Sequence, residues 1–142
     1  MFILRNWWKT HHRGIVTDSN GGFYLKDGSM LSPDAAYLTP SALKTVPAKE
    51  MTTGFPHVCP DFVIELQSTT DRPRLVREKM QEWIANGAQL GWLINPERQS
   101  VMIYRPTGAV ETRTGIDSIT GEGPVAGFTL DLGFVWNPFR PE

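Results

Sequence analysis

The segment PDFVIELQSTTDRPRLVREKMQEW, residues 60–83, places two charges where its pattern calls for burial. Side chains alternate faces along a strand, so Phe62, Ile64 and Leu66 share one side, and Asp61, Val63, Glu65 and Gln67 the other. In the helix that should follow, Leu75, Val76, Met80, Trp83 and Ile84 form one apolar arc at about 100° per residue. Lys79 falls inside that arc, between Leu75 and Val76 on one turn and Trp83 on the next. A charge in a core is costly unless it is paired or binds something. Two readings of Lys79 follow. Its stem packs on Leu75 and Trp83 while the ammonium snorkels outward, or it reaches the carboxylates at the carboxyl end of the preceding strand. A third group, Asp34 in SPDAAYL, sits at a strand start and shares a face with Ala36 and Leu38. Read blandly, it caps the turn into that strand. Brought beside Glu65, it would form an oxygen-ligand pair for a hard dication such as Mg²⁺. A lysine next to that pair would orient a water or stabilise charge on a phosphate oxygen. Such a set suits phosphodiester hydrolysis, in which the metal polarises the phosphoryl group and lowers the pKa of the attacking water.

The elements that must position these groups are legible in outline. Residues 4–11 read as a short helix carrying Trp7 and Trp8, ended by Gly14. GIVTD and FYL read as strands closed by hairpin turns at SNGG and KDG. PDAAYL is a further strand, and the proline-rich stretch after it is a loop with one helical turn at Ser41–Lys44. Asp61–Gln67 is a strand. TTD supplies N-cap candidates, Pro73 suits the first helical turn, and Gly87 suits the exit after about Asn86. GWLI and VMIYRP are strands around an NPERQS turn, GEGPVAG is a loop, and FTLDLGFVW is a last strand or a short helix. A strand–helix–strand unit implies a parallel pair, and the hairpins imply antiparallel neighbours. The fold class is α/β, a mixed sheet with flanking β-hairpins.

The totals set bounds. A chain of 142 residues fits one domain over 1–142. Its 40% hydrophobic and 20% charged content is ordinary for a globular protein. No apolar run approaches the roughly 18 residues needed to cross a bilayer, and the first residues make a poor signal peptide. The lone Cys59 excludes an internal disulfide and fits a reducing cytoplasm. With a formal net charge of −1, any contact with phosphates must come from a local patch.

SPDAAYL, the block from PDFVIELQS to VMIYRP, and the late VAGFTLDL together resemble the Uma2 family, also called DUF820. That family lies within the PD-(D/E)XK superfamily of restriction-endonuclease-like fold and is widespread in bacteria. The resemblance spans about residues 4–133 and implies a metal-dependent endonuclease with DNA as partner and Mg²⁺ or Mn²⁺ as cofactor. It maps the first-motif aspartate to Asp34 and the second-motif acid to Glu65. The lysine place two residues on is Gln67, which can hold a water or substrate oxygen but supplies no charge. Many relatives in the superfamily take their lysine from the following helix instead, and Lys79 stands in that place. Relatives usually also carry a first segment of several tens of residues with a helix and a Glu-Leu-x-Asp-Gly-Glu hairpin. This chain begins near the second helix, which implies a missing acidic residue and a sheet short of a hairpin.

Other groups carry two readings each. Arg72, Arg74 and Arg77 cluster at a helix start, where cations oppose the helix dipole. They clamp a DNA backbone, or they are solvated charges paired with Glu78 and Asp71. NWWKTHHR suits base stacking on single strands, or its tryptophans are core or dimer contacts. His57, Cys59, His11 and His12 lack zinc spacing, and nothing near Ser68 completes an acyl-transfer triad. The leading expectation is a nuclease with Asp34, Glu65, Gln67 and Lys79 at its site, acting as a homodimer. The alternatives are a catalytically silent nucleic-acid-binding or regulatory module on the same fold, and a structural homodimer.

Overall fold

The computed structural model describes residues 2–11, 13–51 and 54–139. His12 of the aromatic–basic segment, and both ends of the expected 1–142 domain, lie outside the described residues. In chain order the elements are α1 (Phe2–His11), β1 (Ile15–Thr17), β2 (Phe23–Tyr24), β3 (Met30–Leu31), β4 (Ala35–Leu38), α2 (Pro40–Leu43), β5 (Phe62–Leu66) and α3 (Pro73–Ala85). There follow β6 (Leu90–Asn95), β7 (Ser100–Tyr104), β8 (Glu111–Thr114), β9 (Ser118–Thr120), β10 (Thr129–Asp131) and α4 (Gly133–Trp136). Six strands form one sheet in the order β1-β4-β5-β6-β7-β8. Within it β5 and β6 are parallel, joined by the α3 crossover, and the remaining neighbours are antiparallel. This is the mixed α/β sheet that the strand–helix–strand pattern predicts.

Both faces of the sheet are covered, which explains the near-continuous burial of β4, β5 and β6. One face packs Phe62, Ile64, Trp92, Ile94, Val101 and Ile103 against α1 and the β9–β10 hairpin. The other packs Ala36, Leu38, Val63 and Leu93 against Met80 and Trp83 of α3 and Phe23 of the β2–β3 hairpin. Met80 and Trp83 are fully buried, each worth roughly 2–3 kcal/mol relative to an exposed position. A Cβ on Gly91 would come within 2.7 Å of the Met80 Cε, so the bare backbone of β6 lets α3 sit close. Trp7 and Trp8 belong to the molecule's own packing. Trp7 contacts Tyr37 and Phe128, and Trp8 Nε1 donates to the Gly14 carbonyl at 2.7 Å.

Several expectations give way. The Asn-Gly turn does not join β1 to the next strand as a hairpin; β1 pairs with β4, from Ile15 opposite Leu38 to Thr17 opposite Ala36. Phe23 and Leu25 are drawn under α3 beside Trp83, so β2 leaves the main sheet and pairs with β3 across KDG. Burial outranks a local turn signal here. Gly14 turns the chain at φ 70°, and a Cβ there would collide with the Leu38 carbonyl. Neither threonine nor Asp71 caps α3. Arg72 is the N-cap residue and makes no side-chain cap bond, while Asp71 accepts from the Ser68 amide at 2.8 Å to close the preceding turn. FTLDLGFVW divides into β10 and α4. The polar β8 and the short β9 escape a pattern search because each shows too little apolar alternation.

Candidate active site

β4 and β5 run antiparallel with Ala35 opposite Ile64. One step further along the same register puts Asp34 opposite Glu65, and directly opposed residues point to the same face. That face is the one α3 covers. Two reciprocal bonds lock the pair. The Asp34 amide donates to Glu65 Oε1 at 3.3 Å, and the Leu66 amide donates to Asp34 Oδ2 at 2.6 Å. Each carboxylate thus holds the backbone beside the other.

Lys79 completes the group. Its Nζ lies 3.0 Å from Glu65 Oε2 and donates to the Ser32 carbonyl at 2.8 Å. The ammonium therefore turns inward across the end of the sheet, and the outward-snorkelling reading does not hold. Trp83, one helical turn on, donates Nε1 to the same Glu65 oxygen at 2.9 Å. Residues 79 and 83 are stacked on one helix face, which is why both reach one carboxylate. Glu65 is only 4% exposed. Burial pushes its pKa above the ordinary glutamate value and the Asp34 charge adds to that, while Lys79 and the Trp83 bond oppose it. Leu75 is half exposed rather than part of the buried arc. It lies with Leu66 and Thr70 at the lip of a cavity, past the end of β5 and not above it.

That cavity, of about 460 Å³, is lined by Asp34, Glu65, Lys79 and Arg72 among others. It sits outside the carboxyl end of the parallel pair, where open α/β sheets commonly place ligands. Gln67 is not in its lining. The Gln67 amide extends the β5–β6 ladder by donating to the Ile94 carbonyl at 2.8 Å, and its side chain lines the next cavity, as does Arg77. Arg74 pairs with Glu78 at 3.3 Å, whereas Arg72 and Arg77 hold no ion pair with any described residue. Sequence reasoning missed Trp83 as a ligand of Glu65, although its place one turn after Lys79 was a usable signal. The Ser32 carbonyl left no signal at all.

The model of the Uma2 family, described as "Putative restriction endonuclease", matches residues 1–133. The chain belongs to the Uma2 family. The fold of this Uma2 chain is similar to that of a putative nuclease belonging to DUF820 from Anabaena variabilis ATCC 29413. The likeness covers 95% of this chain and 74% of that one, at 19% identity and a TM-score of 0.80. No curated protein matches the Uma2 chain. None of its described helices is long and apolar enough to cross a membrane.

Proposed function

We propose that this Uma2 protein is a metal-dependent nuclease that hydrolyses DNA phosphodiester bonds in the Asp34–Glu65–Lys79 cavity. The observation that carries the reading is the meeting of these three groups, from β4, β5 and α3, in one open pocket. The donor set suits Mg²⁺ or Mn²⁺. Asp34 Oδ1 has no hydrogen bond with a described residue, and Glu65 Oε1 has only the long one from Asp34. Among the described residues no three His, Cys, Asp or Glu side chains gather at one point. Mg²⁺ commonly rests on one or two carboxylates plus water and substrate phosphate, which this pair satisfies. When bound, the ion would polarise the phosphoryl group and acidify a water. Lys79 favours the ionised form of Glu65 against the opposing effect of burial, and its ammonium lies at the cavity wall, suited to stabilising negative charge that develops on the phosphate. Trp83 and the two backbone amides fix the carboxylates so that little reorganisation is needed. A homodimer would let two such sites cut both strands of a duplex, and light scattering of the purified protein measures that directly.

The test is plasmid cleavage with and without Mg²⁺. Wild type is expected to cut only with the metal. Glu65→Gln and Lys79→Met are each expected to lose about 100-fold or more in rate. Normal cutting by both variants removes this site from the reaction. The second reading is a silent DNA-binding module, and one observation favours it: three donors already occupy Glu65. Calorimetry that finds DNA binding but no Mg²⁺ or Mn²⁺ heat selects it.

A further inference from the structure

On the α3-facing side of β6, β7 and β8 a second cavity of about 560 Å³ opens. Its floor comes from three strands. Met102 lies opposite Thr112 and Ser100 opposite Thr114, so these share the face with Leu93 of β6. Gln67, Arg77 and Arg98 stand around it. Among the described residues no carboxylate lines it. Neither Arg77 nor Arg98 pairs with an acid among the described residues, while Arg74, Arg105 and Arg113 all do. The Ser100 hydroxyl and the side-chain amide of Gln67 also hold no hydrogen bond with described residues. Arg98 is set in place by its turn. Its amide donates to Asn95 Oδ1 at 3.2 Å, and Gln99 is held at φ 49° by the Gly115 amide bonding its carbonyl at 3.0 Å.

The two cavities adjoin. Leu66 lines the first and Gln67 the second; Arg72 the first and Pro73 the second; Val76 the first and Arg77 the second. The end of β5 and the first turns of α3 are therefore a common wall. A DNA strand whose phosphate sits by Lys79 needs a place for its next nucleotide. Unpaired guanidiniums supply the contacts that phosphates take. A floor that mixes Leu93 and Met102 with the hydroxyl side chains of Ser100, Thr112 and Thr114, beside the side-chain amide of Gln67, suits a base and a sugar.

We infer that this groove binds the DNA strand next to the scissile phosphate, with Arg77 and Arg98 holding the adjoining phosphate and Gln67 and Ser100 bonding the nucleotide. The inference rests on the nuclease reading of the neighbouring cavity. The test is fluorescence anisotropy of a labelled duplex in chelator, so that nothing is cut, from about 50 to about 200 mM salt. Arg77→Gln and Arg98→Gln should each flatten the plot of log K against log salt by about 0.9, one phosphate contact each. Arg113→Gln makes the same charge change on the opposite face and should leave the slope unchanged. Slopes for Arg77→Gln and Arg98→Gln equal to that of Arg113→Gln overturn the proposal, as does absence of DNA binding by wild type. Cleavage by Glu65→Gln is measured in parallel. Normal cutting by that variant rejects the site reading, while the slopes still judge the groove on their own.

Discussion

The two cavities that share α3 as a wall treat charge in opposite ways. On one side Glu65 is 4% exposed and is held by Lys79, Trp83 and the Asp34 amide. On the other, Arg77 and Arg98 are exposed and meet no acid among the described residues. The first arrangement is preorganised: its groups stand in position before a ligand arrives, at a cost in desolvation. The second keeps its cations hydrated and available, so its energy is realised only on contact with an anion and falls as salt rises. Chemistry calls for the first, and grip along a polyanion calls for the second.

Four measurements sharpen or break this contrast, beginning with the largest. In cleavage, Glu65→Gln should reduce the rate about 100-fold or more, whereas Arg98→Gln should act through affinity and be overcome by excess DNA. A defect in Arg98→Gln that saturating substrate does not relieve would put chemistry in the groove and erase the distinction. In urea unfolding, Lys79→Met should cost about 2–3 kcal/mol, because it leaves a buried carboxylate without its counter-charge. Adding Glu65→Leu to that variant should restore most of the loss. Arg77→Gln and Arg98→Gln should each stay within about 0.5 kcal/mol of wild type.

The third measurement uses pH. Burial holds the folded-state pKa of Glu65 above its ordinary value of 4.5. The folded state then binds that proton more tightly than the unfolded chain does. The associated stability is present below the unfolded pKa and is lost as pH rises through the folded one. Glu65→Gln cannot ionise, so its stability relative to wild type should improve as pH rises above the ordinary glutamate value of 4.5. A flat difference means that Lys79 and Trp83 cancel the effect of burial completely. The smallest effect concerns the turn that carries Arg98. Gln99 occupies a left-handed conformation at φ 49°, so Gln99→Gly should stabilise the fold by about 0.5 kcal/mol. It should not change the salt slope, because the Asn95 bond to Arg98 remains.

Much of the first cavity was legible in residues 60–83, because two simple periods intersect there. Strand alternation put Glu65 on the helix side, and the 3.6-residue stripe put Lys79 on the sheet side. Asp34 was harder, since its place depends on a register between strands that no local pattern states. Leu75 obeyed the stripe and still came out half exposed, because a stripe says which face is turned inward but not where the sheet beneath it ends. Gln67 continued the alternation of β5 yet lines the other cavity, since the common wall passes between it and Leu66. Of the groove, the sequence singled out Arg77 and Gln67 but not Arg98, Ser100 or the strands beneath them. The groove's walls come from β5, α3 and β8 and from a turn, and only the assembled sheet brings them together.

Lys79 meets Ser32 across 47 positions of chain, and Glu65 meets Asp34 across 31. Contacts of that span close late, after local helices and hairpins have formed. Until those contacts close, Asp34, Glu65 and Lys79 do not meet, and α3 alone, at 13 residues, is only marginally stable. On the proposed nuclease reading, cutting power depends on those long-range pairings, so a chain that has not finished folding has none.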